Sequence, residues 1–466
     1  MKTTSTKGLR IGFVAMSGIR VVDKELLEMG LTLPGFVERS KVIASLPSLG
    51  LLTLAGMTPD CHEVHYFEID DLQSSPVTME ELSGFDLIAI STLSAQVGEG
   101  YRLADSLREL GVSVVMGGLH VSCCVDEAMD HVDSVIVGEG ESCWPEVLQD
   151  GASGRLKPVY RSSKSFDLAD APMPAFELLD IDKYNRITVQ TSRGCSHRCE
   201  FCAGSVLLTP QYKQKPMEKV LAEVDKICSI WQRPFIEFAD DNSFVNKGYW
   251  KELLPELKKR KIRWFTESDI SIADDPALLR LMHDAGCVQV LIGLESPSRS
   301  ALGGLETRQN WKQNQAAHYR QSIETIQSHG ISVNGCFILG LDDHGIEAFD
   351  EVYRFVEQAG LHEVQITILT PFPGTPFYQR LAREGRLLDD DGWEKCTLFD
   401  INYMPKQMTT GELSAGFKQL TTRLYSDFNT AKRRGRFREM VRQLARQKRK
   451  NYIVPDSRLE QESMHG

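Results

Sequence analysis

Three cysteines lie close together near the middle of the chain, in the stretch TSRGCSHRCEFCAG at residues 191–204. Cys195, Cys199 and Cys202 are separated by three and then two residues, and no fourth cysteine is near them. Thiolates at such spacing bind metals, but a structural zinc site normally has four ligands, often as two CxxC pairs. Zinc is therefore one alternative, and unrelated buried thiols are another, although the SHR segment between the cysteines is polar for a core.

An iron–sulfur cluster explains the absence of a fourth cysteine. A cubane 4Fe-4S cluster has four ligands, normally four thiolates. Three cysteines leave one iron with an open position, and an open position is how a metal site binds a second molecule. We predict that Cys195, Cys199 and Cys202 are the metal ligands and the catalytic group of a cluster that coordinates something else.

The second half of the chain alternates strand-like and helix-like segments. The strand-like runs are ITVQT, FIEFAD, IRWFTES, VQVLIGLES, SVNGCFILGLD and VQITILT, with helical periodicity between them. Six β/α units over residues 184–400 are fewer than the eight that close a full barrel, so we expect a partial barrel or an open sheet. The first strand ends at Thr191, which places the cysteines where β/α folds carry their chemistry.

This CxxxCxxC spacing, with Phe201 before the last cysteine and a β/α partial barrel around it, resembles the radical S-adenosylmethionine superfamily. The resemblance implies that the open iron binds the amino and carboxylate groups of S-adenosylmethionine. An electron from the cluster then releases a 5′-deoxyadenosyl radical. The segments FADDNSF, GLES and FILGLD resemble the family's further cofactor contacts, which here are Asp241 beside Asp240, Gly293, Glu295, Ser296 and Gly340.

The first 150 residues hold a second α/β alternation. The strand-like runs are LRIGFVAM, EVHYFEI, FDLIAIST, VSVVMGG and VDSVIVGEGE. Nearly continuous apolar strands between helices predict a parallel sheet covered on both faces. Such sheets bind ligands beyond the carboxyl ends of their strands.

Three segments of this region resemble a cobalamin-binding domain, namely LPSLGLLTLAG (46–56), GGLH (117–120) and VDSVIVGEGE (132–141). The expected cofactor-binding residues are Ser91, Thr92, Gly117, Gly118, His120, Gly138 and Glu139. Glycines let a large flat cofactor approach the backbone, although tight turns would also use them. A DxHxxG motif is missing, since DCHEVH at 60–65 has His65 where glycine belongs. We therefore expect no histidine ligand to cobalt.

Together these patterns predict an α/β protein in four parts. They are a Rossmann-like cobalamin-binding domain (1–150), a linker (151–183), a partial (β/α)6 radical S-adenosylmethionine barrel (184–400) and a helical C-terminal region (401–466). Aromatic residues within 371–405 either cover the opening of the barrel or form the core of the C-terminal region. We expect residues 452–466 to be disordered.

Charge and composition narrow the partners. The chain has 466 residues and a net charge of −11, which argues against general nucleic-acid binding. No secretory signal or membrane-spanning run is evident, so we expect a cytoplasmic protein. The segment 432–450 is strongly basic and is either a solvated helix or a contact for an anionic membrane surface or acidic partner.

The resemblance implies a cobalamin-dependent radical methyltransferase. A substrate radical formed on an unactivated carbon takes a methyl group from methylcobalamin. An alternative is a cyclase or oxidoreductase that uses the same cofactors without net methyl transfer. Methylthiolation and a non-enzymatic redox or cobalamin sensor fit less well, because their extra modules are not evident. We expect a small-molecule or lipid substrate and an electron donor such as flavodoxin or ferredoxin.

Overall fold

The computed structural model describes residues 8–17, 21–29, 46–204, 207, 211–388 and 392–453, with side chains as far as Arg446. The strands are β1 Arg10–Met16, β2 Glu63–Ile69, β3 Leu87–Ser91, β4 Ser113–Gly117, β5 Ser134–Val137, β6 Val159–Arg161, β7 Ile187–Val189, β8 Ser192–Arg193, β9 Lys213–Gln214, β10 Phe235–Phe238, β11 Arg263–Ser268, β12 Cys287–Glu295, β13 Ser332–Leu339 and β14 Glu363–Ile368. The helices are α1 Lys24–Glu28, α2 Leu49–Gly56, α3 Met79–Leu82, α4 Val97–Glu109, α5 Leu119–Cys123, α6 Val125–Met129, α7 Trp144–Ala152, α8 Met217–Ile230, α9 Lys247–Arg260, α10 Pro276–Asp284, α11 Trp311–Gln315, α12 Tyr319–Ser328, α13 Ala348–Ala359, α14 Pro376–Glu384, α15 Thr410–Tyr425 and α16 Asp427–Ile453.

The first sheet is parallel throughout and has the strand order β2-β1-β3-β4-β5-β6. Consecutive residues of one strand enter different cores, as Phe13 and Val14 of β1 show. Both faces are therefore buried, which explains why these strands are almost entirely apolar. Strand β2 lies on one side of β1, whereas β3 and the later strands lie on the other. The strand order reverses between β1 and β3, so a crevice opens at their carboxyl ends. This confirms the Rossmann-like α/β class.

The segment 151–183, which we expected to be a linker, contributes to the first sheet. Strand β6 within it pairs in parallel with β5, through Val135 and Val159 among others. With only three residues, β6 is too short to show a strand pattern in the sequence. The remainder forms short turns, as expected of a connection.

The second sheet is also parallel and has the order β7-β10-β11-β12-β13-β14. Helices α8, α9, α10, α12 and α13 follow its strands in turn. In the part of the chain that the structure describes, β7 and β14 do not pair with each other, so the barrel stays open between them. The partial (β/α)6 barrel is therefore confirmed.

The C-terminal region packs on the barrel beside β14. The backbone N–H of Ile368 in β14 donates to the carbonyl of Leu398 at 2.7 Å, so this segment covers an edge strand. Helix α15 packs on α13, and α16 packs on α12 and β14. Phe377, Phe399 and Tyr403 are buried here, whereas Phe372 faces the barrel interior, so the aromatic residues of 371–405 serve both expected purposes.

Helix α1 lies within the expected first domain (1–150), but it contacts the C-terminal region. The backbone N–H groups of Val22 and Asp23 each donate to the Asp400 carboxylate at 2.9 Å. Lys418 of α15 forms ion pairs of 2.7 Å with Asp23 and Glu25. The N-terminal helix therefore lies against the C-terminal region, a long-range contact that sequence patterns do not reveal.

The basic segment 432–450 lies within α16, and its first residues are bound to the barrel. Lys432 pairs with Glu357, and Arg434 Nε lies 2.6 Å from Glu363. The buried Arg433 donates to the carbonyl of Leu424 at 2.7 Å. Most of 452–466, expected to be disordered, lies outside the described residues. Among the helices that the structure describes, none combines the length and the hydropathy that a membrane span requires.

Candidate active site at two adjoining cavities

The cysteine loop is fixed at its start by the two aspartates that follow β10. Asp240 accepts hydrogen bonds from the backbone N–H groups of Thr191 at 2.7 Å and Ser192 at 2.9 Å. Asp241 accepts one from the N–H of Gly194 at 2.7 Å. Both carboxylates therefore help to position the chain just before Cys195.

The other side of the loop is tied to the segment after β12. Cys199 forms an isolated antiparallel bridge with Glu306. The N–H of Glu200 donates to Leu305 at 2.8 Å, and its carboxylate binds Arg380 at 2.6 Å. The loop is thus held from two directions, and the cysteines line one space, here called the cluster cavity.

His197 lies between two carboxylates at the wall of the cluster cavity. Its Nε2 lies 3.0 Å from Asp269, and its Nδ1 lies 3.3 Å from Glu306. Burial alone lowers the pKa of His197, but these carboxylates outweigh it and raise the pKa. The amide of Asn242 bonds to the same Asp269 at 2.8 Å, and its nitrogen is 4.0 Å from Cys195 Sγ. Asp269 therefore positions both His197 and Asn242 beside the cysteine loop.

Gly293, Glu295 and Lys312 form a buried unit beside the cysteines. Lys312 Nζ lies 2.8 Å from Glu295 Oε1 and donates to the carbonyl of Gly293 at 3.0 Å. Glu295 has a φ of 61°, and the register of β12 shifts between Gly293 and Glu295. A bulge re-aims a side chain in this way. A Cβ atom on Gly293 would lie 2.6 Å from Glu295 Oε1, so a larger residue here would displace the Glu295 carboxylate.

The cluster cavity matches the predicted cofactor. Burial raises the pKa of the Cys195 and Cys199 thiols, and a metal ion deprotonates a coordinating thiol outright. Three sulfur donors at one open space fit a 4Fe-4S cluster with one iron free for a further ligand. Phe201 forms part of the wall, as expected. Glu267 faces the same space from β11, and burial raises its pKa to about 8.

Two predicted contacts of the barrel lie elsewhere. Ser296 is buried, and its Oγ is 3.0 Å from His344 Nε2, away from the cluster cavity. The carbonyl of Gly340 accepts a hydrogen bond from the Tyr403 hydroxyl at 2.6 Å. A Cβ atom on Gly340 would lie 2.2 Å from that hydroxyl. Gly340 therefore leaves room for the Tyr403 side chain of the C-terminal region.

A second space, here called the interdomain cavity, lies at the carboxyl ends of β3, β4 and β5. Ser91, Gly117, Gly118 and Gly138 line it from the first domain, with apolar neighbours that include Leu49, Leu54 and Ile136. A Cβ atom on Gly138 would meet nothing within 4 Å, and on Gly117 the nearest atom would be 3.8 Å away. A side chain would project into free space here, so the bare backbone fits a large flat ring such as cobalamin. No histidine is among the described residues that line it.

Glu139 lines this cavity, but its carboxylate links the domains. Its Oε1 lies 2.8 Å from Arg193 Nη1, and its Oε2 lies 2.6 Å from Lys213. Arg193 also pairs with Glu141. Burial raises the pKa of Glu139, but Lys213 and the N–H of Phe166 outweigh this and lower it. The expected cofactor contact is therefore an ionised clamp between the first domain and the cysteine loop.

Thr92 and His120 do not line the interdomain cavity. The Thr92 hydroxyl donates to the carbonyl of Leu93 at 2.8 Å. His120 is completely buried, with Nδ1 3.1 Å from Ser94 Oγ and its ring beside Trp393. Both residues follow the end of a strand in the sequence, but their side chains are buried inside the first domain and do not face the cavity.

The two cavities adjoin. Gly204 and Asp241 line both of them. A Cβ atom on Gly204 would lie 2.8 Å from Asp241 Oδ1, so these two residues lie in close contact where the cavities meet. A group held in the interdomain cavity therefore faces one held in the cluster cavity.

Sequence patterns missed several residues of the site. Lys312 arrives from α11 and Asp269 from the end of β11, and neither stands in a recognisable motif. Arg193 lies two residues before Cys195 and pairs with Glu139. The acidic GEGE segment that contains Glu139 is the feature of the sequence that suggests this partner. Their roles depend on which side chains the folded chain brings together.

Family models match three parts of the chain. The radical SAM superfamily matches residues 189–356, the B12 binding domain matches 39–148, and a domain of unknown function matches 375–464. The first match contains the cysteine loop and the barrel strands from β10 to β13, and the second contains Gly117, Gly118 and Gly138 of the interdomain cavity.

Several curated relatives are methyltransferases. The bacteriochlorophyllide d C-12(1)-methyltransferase of Chlorobaculum tepidum is 28% identical over 79% of this chain and 81% of its own length. An uncharacterised methyltransferase of Synechocystis sp. is 31% identical, over 77% and 67%. The hopanoid C-2 methylase of Rhodopseudomonas palustris is 29% identical, over 76% and 67%. An anaerobic magnesium-protoporphyrin IX monomethyl ester cyclase of Cereibacter sphaeroides is 22% identical over 67% of the chain.

Two solved structures share the fold over most of this chain. The cobalamin-dependent S-adenosylmethionine radical enzyme OxsB superposes with a TM-score of 0.66 at 15% identity, over 91% of this chain and 67% of its own. The radical S-adenosylmethionine methyltransferase TsrM of Kitasatospora setae gives 0.65 at 15% identity, over 94% and 99%. With its two family models in the predicted order and a relative at 31% identity, the chain belongs to the radical S-adenosylmethionine superfamily, among its members with a B12-binding domain.

Proposed function

We propose that the protein is a cobalamin-dependent radical C-methyltransferase that acts on an unactivated carbon of a large, mainly apolar molecule. The observation that carries this proposal is the wall shared by the two cavities at Gly204 and Asp241. A methyl donor in the interdomain cavity and a radical generator in the cluster cavity would meet a substrate between them. An unactivated carbon requires both, because it has neither an acidic proton nor a lone pair to attack a sulfonium.

The chain's own residues hold the reacting groups in place. When bound, the cluster supplies the electron that cleaves S-adenosylmethionine, and cobalamin supplies the methyl group. Cys195, Cys199 and Cys202 would ligate the cluster, while Asp240 fixes the backbone that carries them. Asp241 and the Glu295–Lys312 pair present charge to the open side of the cluster cavity, where the ammonium and carboxylate of an amino acid would bind.

The substrate class is inferred from the walls and from the relatives. Leu291, Ile338 and Phe372 give one part of the cluster cavity an apolar surface, while polar and charged side chains such as Glu267 and Lys312 line the rest. The relatives' names specify a bacteriochlorophyllide and a hopanoid, which are both large ring systems. A lipid or tetrapyrrole is therefore the first class to test. The electron would come from a small carrier such as flavodoxin or ferredoxin.

Contact with a membrane surface would involve only part of the basic segment 432–450. Lys432 and Arg434 pair with the barrel, so basic residues farther along α16 would have to supply it, among them the exposed Arg438, Arg442 and Arg446. Changing these three arginines together with Lys448, Arg449 and Lys450 to glutamine should reduce flotation of the protein with anionic vesicles. Equal flotation of the variant would remove this proposal.

The decisive experiment uses protein reconstituted without oxygen and supplied with cobalamin. Dithionite and S-adenosylmethionine labelled on its methyl group are added, together with a tetrapyrrole or a hopanoid. We expect 5′-deoxyadenosine, labelled methylcobalamin and labelled lipid-soluble product to appear together. Cys195→Ala should abolish the deoxyadenosine.

The main alternative predicts a different outcome of the same assay. A cyclase or oxidoreductase would form deoxyadenosine and retain cobalamin, but the label would not reach cobalamin or product. If cobalamin is not retained at all, the interdomain cavity has another ligand, and only the barrel chemistry stands.

A further inference from the structure

A cluster of three potential metal ligands lies outside both cavities, at the corner between α5 and α6. One donor atom each of His120, Cys124 and Glu127 lies within 4.8 Å of the others. His120 Nε2 and Glu127 Oε1 are 3.4 Å apart. In a tetrahedral zinc site with bonds of about 2.0–2.3 Å, neighbouring donors lie roughly 3.3–3.9 Å apart. Small side-chain movements would therefore bring all three donors to one ion.

The histidine is prepared as a ligand. His120 is completely buried, and its Nε2 faces Glu127 Oε1. Its other nitrogen, Nδ1, is 3.1 Å from Ser94 Oγ. Metal-binding histidines commonly bond through their second nitrogen in this way, which fixes the ring and its tautomer.

The carboxylate is also oriented from behind. Trp393 Nε1 donates to Glu127 at 3.0 and 3.1 Å, and the Trp393 ring packs against His120 with centroids 5.0 Å apart. Glu127 is therefore held toward His120 by a residue 266 positions farther along the chain.

A fourth oxygen lies beside the three donors. The Tyr101 side chain is buried next to Glu127 and Cys124, and burial together with these two neighbours raises its pKa. The neutral phenol therefore borders the cluster and helps to close it from solvent.

We propose that His120, Cys124 and Glu127 bind a divalent transition-metal ion, preferentially Zn²⁺, with water as the fourth ligand. A mixed nitrogen, sulfur and oxygen donor set suits zinc and excludes Ca²⁺ and Mg²⁺, which take oxygen ligands. The Cys124 proton is released to solvent on binding, so affinity falls with decreasing pH. This proposal does not depend on methyl transfer.

The site would be structural, and its position shows what it supports. Helix α5 begins at Leu119, directly after Gly117 and Gly118 of the interdomain cavity. An ion on His120 and Cys124 would fix both ends of this short helix, and Glu127 would link it through Trp393 to the C-terminal region. The backbone that faces the interdomain cavity would thereby be braced from behind.

The test removes the competing thiols first. The Cys195→Ala/Cys199→Ala/Cys202→Ala protein is treated with chelator, incubated with Zn²⁺, dialysed and measured by mass spectrometry for metal content. We expect about one zinc per chain. Adding Cys124→Ser or His120→Gln should weaken zinc binding about tenfold or more. Co²⁺ in place of Zn²⁺ should give a thiolate-to-cobalt charge-transfer band that Cys124→Ser abolishes.

Cys123→Ser is the matched control. Cys123 is adjacent and half-buried, but its sulfur lies beside Gly374 and outside the three-ligand cluster. This variant should retain both zinc and the cobalt band. The proposal is overturned if the triple-alanine protein takes up no metal, or if Cys123→Ser loses as much as Cys124→Ser. Circular dichroism of each variant separates lost binding from lost folding.

Discussion

The cluster cavity and the interdomain cavity are built on opposite principles. The cluster cavity is defined by particular side chains, with three thiols, His197 between two carboxylates and a buried Glu295–Lys312 pair. The interdomain cavity is defined more by its shape, since Gly117 and Gly138 leave bare backbone beside apolar side chains such as Leu54. A cofactor held by bonds needs particular residue types, whereas one held by shape needs room.

This difference governs how each site responds to substitution. A ligand atom cannot be replaced by neighbouring contacts, so its loss removes the cofactor. A wide contact surface spreads its binding energy, so one added methyl group weakens binding without abolishing it. The first site should therefore fail completely and the second by degrees.

The largest effect is expected at the thiols. Changing Cys195, Cys199 and Cys202 to alanine should abolish cluster iron and cleavage of S-adenosylmethionine, because no other described cysteine lines the cluster cavity except Cys336. Iron analysis and assay of 5′-deoxyadenosine measure this, and cobalamin retention should persist. Cys228→Ala, in a half-buried cysteine of α8, is the control. Residual cleavage in the triple variant would contradict the assignment.

The second effect concerns the buried ion pair. Lys312→Met leaves the Glu295 carboxylate buried without its cation, and breaking such a pair typically costs about 3–5 kcal/mol. Anaerobic urea denaturation measures the free energy of unfolding. Lys251→Met removes an exposed partner of Asp275 and should cost about 0–1 kcal/mol. If both variants lose equally little, Lys312 is not the buried support described here.

Adding Glu295→Leu to Lys312→Met sharpens the result. The double variant should recover part of the lost stability, since it buries no unpaired charge. No recovery would show that the loss arises from packing beside Gly293.

The same contrast explains what the sequence could predict. The cysteine loop, the two parallel sheets and the glycine positions follow from residue types, spacing and periodicity, which are local. Lys312 could not be assigned, because it meets Glu295 only through the bulge at Gly293 and the unusual φ of Glu295. Strand β6 was missed because three residues carry no periodic signal.

Side-chain direction after a strand was the other source of error. Ser91 and Thr92 are adjacent, yet Ser91 lines the interdomain cavity and Thr92 does not. Gly340 has a φ of 88° like a cofactor-binding turn, but it accommodates Tyr403 from 63 residues away. Sequence locates the carboxyl end of a strand, and only packing decides which way each residue there faces.

The smallest expected effect tests whether the interdomain cavity binds cobalamin through the space that its glycines leave free. Gly138 and Gly154 have positive φ angles of 84° and 66°, and an added Cβ would meet nothing within 4 Å at either. Alanine should therefore strain both backbones similarly, by about 1–2 kcal/mol. Only the methyl group at Gly138 would project into the interdomain cavity, so Gly138→Ala should weaken cobalamin binding about tenfold, or about 1.4 kcal/mol, while Gly154→Ala leaves it unchanged. Equilibrium titration with cobalamin decides this. Equal affinities for the two variants would mean that the ring does not approach Gly138, and that side chains such as Ser91 must hold the cofactor instead.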